Sequence, residues 1–112
     1  MVGDFELGSI EYGVSHLQAK AVIVLGHQQC GAVQAAMEGY GEGKTKAIVD
    51  EIAPVIKDAK DEREAEKSNT LHSMEKIKKS KIIQKALKNE GLELISAIYD
   101  IESGKVTFLP EQ

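Results

Sequence analysis

Apolar positions along the chain follow two different periods. Leu7, Ile10, Val14 and Leu17 recur every three or four residues, with Tyr12 beside the stripe and the polar Ser9 and Glu11 early in it. This spacing predicts a helix over 5–18. The period then changes. Ala21-Val22-Ile23-Val24-Leu25 is an unbroken apolar run rich in β-branched residues, and Gly26 ends it. It is too short to cross a membrane and shows no polar alternation, so it predicts a strand buried on both faces, as in a parallel sheet. A turn over 27–31 and a helix of small residues over 32–38 follow, which makes half of a βαβ unit.

Gly39, Gly41 and Gly43 mark a loop over 39–43. From Thr45 a further helix carries Ile48, Ile52, Val55, Ile56 and Ala59 on one face, and Pro54 inside it predicts a kink or break. Residues 57–67 are nearly all charged and read as a solvated helix end or a mobile linker. Asn69 or Thr70 is placed to cap the next helix, with Leu71, Met74 and Ile77 inward. Another helix starts near Ser80, carries Ile82, Ile83, Ala86 and Leu87, and ends near 89–91. Its lysines, with Lys76, Lys78 and Lys79, read as a solvated face, because no aromatic residues interleave with them. Residues 92–101 form a second largely apolar run, read as a strand. A hairpin-type turn over 102–105 leads to a short last strand over 106–109.

Composition bounds this α/β pattern. The chain has 112 residues and a net charge of −4, which suits one domain over 1–112. No apolar run approaches the roughly 20 residues of a membrane span. The N-terminus carries acids early and lacks a basic-then-apolar leader, so a cytoplasmic location is expected. A single cysteine, Cys30, rules out a disulfide framework. The mild acidic balance argues against nucleic acid as the main partner. Without tryptophan, and with few other aromatics, the core is expected to be aliphatic.

Candidate chemistry gathers in Gly26-His27-Gln28-Gln29-Cys30-Gly31, at the C-terminal end of the first strand. Ligands in open α/β sheets bind beyond the carboxyl ends of strands. Imidazole nitrogen and thiolate are typical zinc donors, so His27 and Cys30 are the candidate metal ligands. The helix that follows adds backbone N–H groups and a positive dipole end, which makes Gly31 and Ala32 candidate anion-binding positions. By spacing alone, a small buried thiol beside a capping histidine is the better account of the motif. A catalytic zinc usually takes at least three protein ligands, and there is no second cysteine. His16 and His72 fall within helices and read as surface or packing residues. Asp4 and Glu11 are further acids that nothing in the sequence places.

Several segments resemble β-class carbonic anhydrases, in order along nearly the whole chain. They are Leu7-Gly8-Ser9-Ile10-Glu11-Tyr12-Gly13-Val14, then residues 21–33 with their Gly-His-x-x-Cys-Gly turn. Ala47-Ile48-Val49-Asp50-Glu51-Ile52-Ala53-Pro54 is similar to the family's middle helix. Residues 69–83 are similar to its Asn-initiated helix and Ser-Pro-Ile segment, with Lys81 where the family has proline. Residues 97–106 are similar to its closing strand-turn-strand. The resemblance implies a mostly parallel sheet flanked by helices, here with a short antiparallel final strand, assembled as dimers or tetramers. It also implies a zinc enzyme that interconverts carbon dioxide and bicarbonate, its metal held by a cysteine, a histidine and a second cysteine. His27 and Cys30 match the later two. In such enzymes zinc lowers the pKa of bound water, so that hydroxide is available near neutral pH.

One departure qualifies that expectation. The family's first ligand lies in a Cys-x-Asp-Ser-Arg segment on an earlier strand, whose Asp and Arg orient the zinc-bound water. No such segment occurs in this sequence. The chain is therefore expected to be an N-terminally truncated member lacking the N-terminal arm and first strands. Its zinc ligand set is incomplete and it has no identifiable catalytic residue. The strand carrying Val22–Leu25 is expected to have an open edge, a template for pairing. A second copy, giving a homodimer or higher homo-oligomer, or a complementing N-terminal fragment would cover it. The expected function is that of a carbonic anhydrase homologue, weak or inactive as an isolated chain. The alternative is a non-enzymatic oligomer of the same fold that binds zinc weakly or an anion.

Overall fold

The computed structural model describes residues 1–110. In chain order the elements are α1 (Asp4–Ser15), β1 (Ala21–His27), α2 (Gly31–Glu38), α3 (Thr45–Ile56), α4 (Glu62–Lys78), α5 (Lys81–Asn89), β2 (Glu93–Tyr99) and β3 (Val106–Phe108). The strands form one sheet in the order β1-β2-β3. β1 and β2 are parallel, in register from Ala21↔Glu93 to His27↔Tyr99. β3 runs antiparallel to β2, with Ala97 opposite Phe108 and Tyr99 opposite Val106. This is the mostly parallel sheet with a short antiparallel final strand that the sequence implies.

One sheet face packs on helices. Val14 from α1, Met74 and Ile77 from α4, and Ile83 and Ala86 from α5 form one core cluster with Leu92 and Leu94. Val22 and Val24 of β1 pack against it. A second cluster joins α2, α3 and the start of α4 through Val33, Ala36, Val49, Ile52, Ile56 and Ala65. Both are almost purely aliphatic.

The expectation of a doubly buried β1 is corrected. Burial alternates along the strand, with Val22 and Val24 half-buried and Ala21, Ile23, Leu25 and His27 exposed. Ile23 is 54% and Leu25 52% exposed. An apolar run states that both faces suit burial, but it does not supply the second cover. β1 is also an edge strand: among the described residues only β2 pairs with it. The open edge expected from the sequence is present.

The charged run is corrected too. Its second half is the first part of α4, opened by Asp61, whose carboxylate accepts the Glu64 N–H at 2.9 Å. Asp61 therefore caps the helix, while Asn69 and Thr70 lie inside it. Within the run Ala65 and Glu66 are buried. Pro54 lies inside α3, which ends two residues past it at Ile56 and short of Ala59, so the missing donor falls in its last turn. Val49 rather than Ile48 fills the α3 core position, and Leu17 and Ile82 are exposed. β2 ends at Tyr99, two residues earlier than the apolar run, because the Asp100 carboxylate accepts the N–H groups of Glu102 and Ser103 and starts the turn.

Candidate metal and anion site

The site lies where β1 stops and α2 starts. Gly26 has no side chain because α4 passes directly over it: a methyl group there would overlap the Thr70 hydroxyl and meet Ile98 Cδ1 at 2.9 Å. His27 is the last residue of β1, opposite Tyr99. Its Nδ1 lies 2.8 Å from the Gln28 carbonyl oxygen. A carbonyl only accepts, so this contact places the proton on Nδ1 and leaves the Nε2 lone pair for a ligand.

Gln28 is buried and anchors the turn to the adjacent end of β2. Its N–H donates to the Tyr99 carbonyl at 3.2 Å, and its Oε1 accepts the Ile101 N–H at 3.0 Å. Gln29 is left-handed, with φ of +54°. Cys30 is a half-buried free thiol in extended conformation at the N-cap of α2, with its side chain uninvolved in capping. Glu66 of α4 is 4% exposed and lines the same groove as Cys30. Burial pushes the Glu66 carboxyl above its ordinary value, and the nearby backbone N–H groups of Cys30 and Gln29 oppose the rise.

A groove of about 360 Å³ runs along the open side of β1, with His27, Cys30 and Glu66 at one end and Val2 and Glu6 near the other. The two predicted ligands therefore share one groove. Gly31 and Ala32 open α2, so their N–H groups lack an intrahelical acceptor. The other candidates lie elsewhere. His16 stacks on Tyr12 with ring centroids 4.7 Å apart. His72 faces Glu51 at 3.7 Å between α4 and α3. Glu11 accepts from the Ser80 hydroxyl at 2.6 Å, and Asp4 sits in the first turn of α1. Among the described residues no three His, Cys, Asp or Glu side chains form a metal-holding group. His27 and Cys30 suit zinc as two donors, but they do not make a complete zinc centre, so no hydration step follows from this chain alone.

Gln28 and Glu66 were missed in the sequence. The signal for Glu66 is its helical spacing, four, seven and eleven residues before Thr70, Ser73 and Ile77, all buried. The net charge of its neighbours hides that stripe. Gln28 carries no comparable signal.

Comparison with known proteins places the chain. The family model for carbonic anhydrase matches residues 3–106. A carbonic anhydrase of Mycolicibacterium smegmatis is 42% identical over 55 residues, which is 45% of this chain and 27% of that protein. Carbonic anhydrase 2 of Mycobacterium tuberculosis is 27% identical over 110 residues, covering 88% of this chain and 53% of that one. The chain thus spans about half, or less, of the length of these relatives. A crystal structure of a β-carbonic anhydrase from Aspergillus fumigatus superposes with a TM-score of 0.84 at 24% identity, over 98% of this chain and 59% of that one. One of two tetrameric β-carbonic anhydrases from Sordaria macrospora superposes at 0.83 with 21% identity, over 96% and 61%. At these identities the superpositions establish the fold.

Proposed function

This chain belongs to the β-class carbonic anhydrase family, and from that premise we propose that it carries the His27–Cys30 half of the family's zinc site. As an isolated chain it hydrates carbon dioxide weakly or not at all. The observation that carries this reading is the shared groove: His27 and Cys30 line its one end, and no third metal-ligating side chain joins them among the described residues. Two donors bind zinc far less tightly than three, and the water-orienting Asp and Arg implied by the resemblance have no counterpart in the sequence. Carbon dioxide and bicarbonate remain the substrate pair by family. The start of α2, at Gly31 and Ala32, is the proposed seat for the anion.

The same proposal includes assembly. Ile23, Leu25, Tyr99, Val106 and Phe108 are exposed, and the strand register puts them on one face of the sheet. A contiguous apolar face beside an unpaired edge marks an interaction surface. A second copy of the chain is its proposed cover, in a homodimer or higher oligomer, with a complementing N-terminal segment as the other occupant to test. The incomplete ligand set also supports a second reading, a non-enzymatic oligomer of this fold that binds zinc weakly or an anion.

Zinc titration against a chelating dye tests the ligand assignment. The wild-type chain should bind weakly, and both Cys30→Ser and His27→Ala should abolish that binding. Equal binding by all three proteins would reject His27 and Cys30 as ligands.

A further inference from the structure

We propose that two copies of the chain pair edge to edge through β1, antiparallel and centred on Val24, so that Ile23 of each strand stands opposite Leu25 of the partner subunit. The pairing rests on the proposal that a second copy covers the open side of the sheet, and it adds the edge, the direction and the register.

The ladder to β2 fixes which backbone groups are free. Gln28 donates its N–H to the Tyr99 carbonyl, and the Lys20 carbonyl accepts the Glu93 N–H. Main-chain groups alternate sides along a strand. Val22, Val24 and Gly26 therefore also turn toward β2, and Ala21, Ile23, Leu25 and His27 aim N–H and C=O at the open edge. Nothing guards this edge. β1 keeps one unbroken register over seven residues and carries no proline, lysine, arginine or carboxylate. The opposite edge is guarded: β3 has three residues, with Lys105 just before it and Pro110 soon after. Short strands, lysine and proline are the ordinary defences against edge pairing.

The side chains choose the register. Antiparallel partners share a face, so the helix-side Val22, Val24 and Gly26 must meet one another, and so must Ile23 and Leu25. Centring on Val24 does this and pairs the whole strand: Ala21 with the partner's His27, Val22 with the partner's Gly26, Ile23 with the partner's Leu25. The edge-facing residues then form hydrogen-bonded pairs, each exchanging two N–H···O=C bonds, and the exposed Ile23 and Leu25 of both copies join into one apolar patch. Charge favours the antiparallel direction. Glu66 lies at the His27 end of the groove beside β1, and among the described residues no lysine or arginine lines that groove. One position beyond the terminal Ala21–His27 pair, antiparallel pairing brings the partner's Lys20 to that end. Lys20 is an exposed base on the helix side of the sheet, where its Nζ reaches the Glu90 carbonyl. A parallel copy would carry it to the other end. Antiparallel strands also hold the two His27–Cys30 turns at opposite ends, roughly 20 Å apart. The dimer thus covers the edge without completing either ligand set, and a complementing segment must displace the second copy to occupy the same edge.

Disulfide cross-linking of the full chain tests the register. In a Cys30→Ser background, Val24→Cys places a thiol at a non-hydrogen-bonded pair on the two-fold axis, where Cα atoms lie about 4.5 Å apart, within the span of a disulfide. Ile23→Cys puts its two thiols on diagonal positions, about 7–8 Å apart. With oxidised glutathione, Val24→Cys should form covalent dimer about tenfold faster than Ile23→Cys or more. Wild type gives a second readout that needs no substitution. By NMR, the Ile23 and Leu25 amides should exchange about tenfold more slowly at high protein concentration than on dilution, while Val22, Val24 and Gly26 stay protected by β2 throughout. A dimer in which Ile23→Cys cross-links as fast as Val24→Cys, or in which the Ile23 and Leu25 amides stay unprotected, would overturn this pairing and leave assembly through another surface standing. A monomeric wild type would overturn the pairing and the proposed second copy together.

Discussion

Gly26 and Thr70 are packed so closely that a methyl group on Gly26 would overlap the Thr70 hydroxyl. Gly26→Ala must therefore push α4 away from β1 or strain both. Overpacking of this kind destabilises by about 1–3 kcal/mol. Gly8 is the control: it lies inside α1 with nothing near its absent side chain. Gly8→Ala should stabilise by about 0.5–1 kcal/mol, because glycine weakens a helix interior. Urea unfolding of the two variants should move in opposite directions. A Gly26→Ala midpoint equal to wild type would show that α4 does not need this contact.

A pH-dependent contribution is expected from Glu51. Lys76 hydrogen-bonds its carboxylate and holds it below its ordinary value of 4.5, with His72 adding to the effect and partial burial opposing it. A carboxyl whose pKa is depressed in the fold stabilises the protein above its unfolded value, and that contribution is lost as pH falls through the folded value. Glu51→Gln should be less stable than wild type at neutral pH, by less than about 1 kcal/mol because the pair is partly exposed. The gap should close as pH is lowered through 4.5 and below. Thermal melts of both proteins across this range decide it: a gap that stays constant with pH contradicts the assignment.

Assembly through the open side of the sheet predicts a specific charge sensitivity. Ile23 is exposed near the middle of β1, the edge strand. A lysine there should block strand pairing and solvate the apolar face. Wild type should sediment as a dimer or larger species. Ile23→Lys should raise the dissociation constant about tenfold or more, which is 1.4 kcal/mol, with its circular dichroism unchanged. A wild-type monomer at dilute and high concentration alike would remove the proposed second copy.

The sequence carried the central unit well. The β-branched run over 21–25 and the Gly-bearing turn after it locate β1, the turn and the start of α2, because strand propensity and turn chemistry are local properties. The family's fold was legible for the same reason: its motifs sit in these local segments. What lies beside β1 was not legible. An apolar run does not distinguish a strand covered on both sides from one whose face and edge await a partner. The first part of α4 was hidden differently. Nine charged residues among the eleven from 57 to 67 read as solvated, yet one of them, Glu66, points inward. Its place in the groove beside Cys30, 36 positions earlier, is a tertiary relationship that no local pattern in the sequence reports.

Carbon dioxide hydration by the isolated chain, followed by stopped flow with added zinc, tests the central claim most directly. The account predicts a rate at or barely above that of buffer with zinc, because His27 and Cys30 supply two donors and no third joins them among the described residues. A zinc-dependent kcat/KM within the ordinary enzyme range of about 10⁴–10⁸ M⁻¹ s⁻¹, abolished in Cys30→Ser, would contradict it.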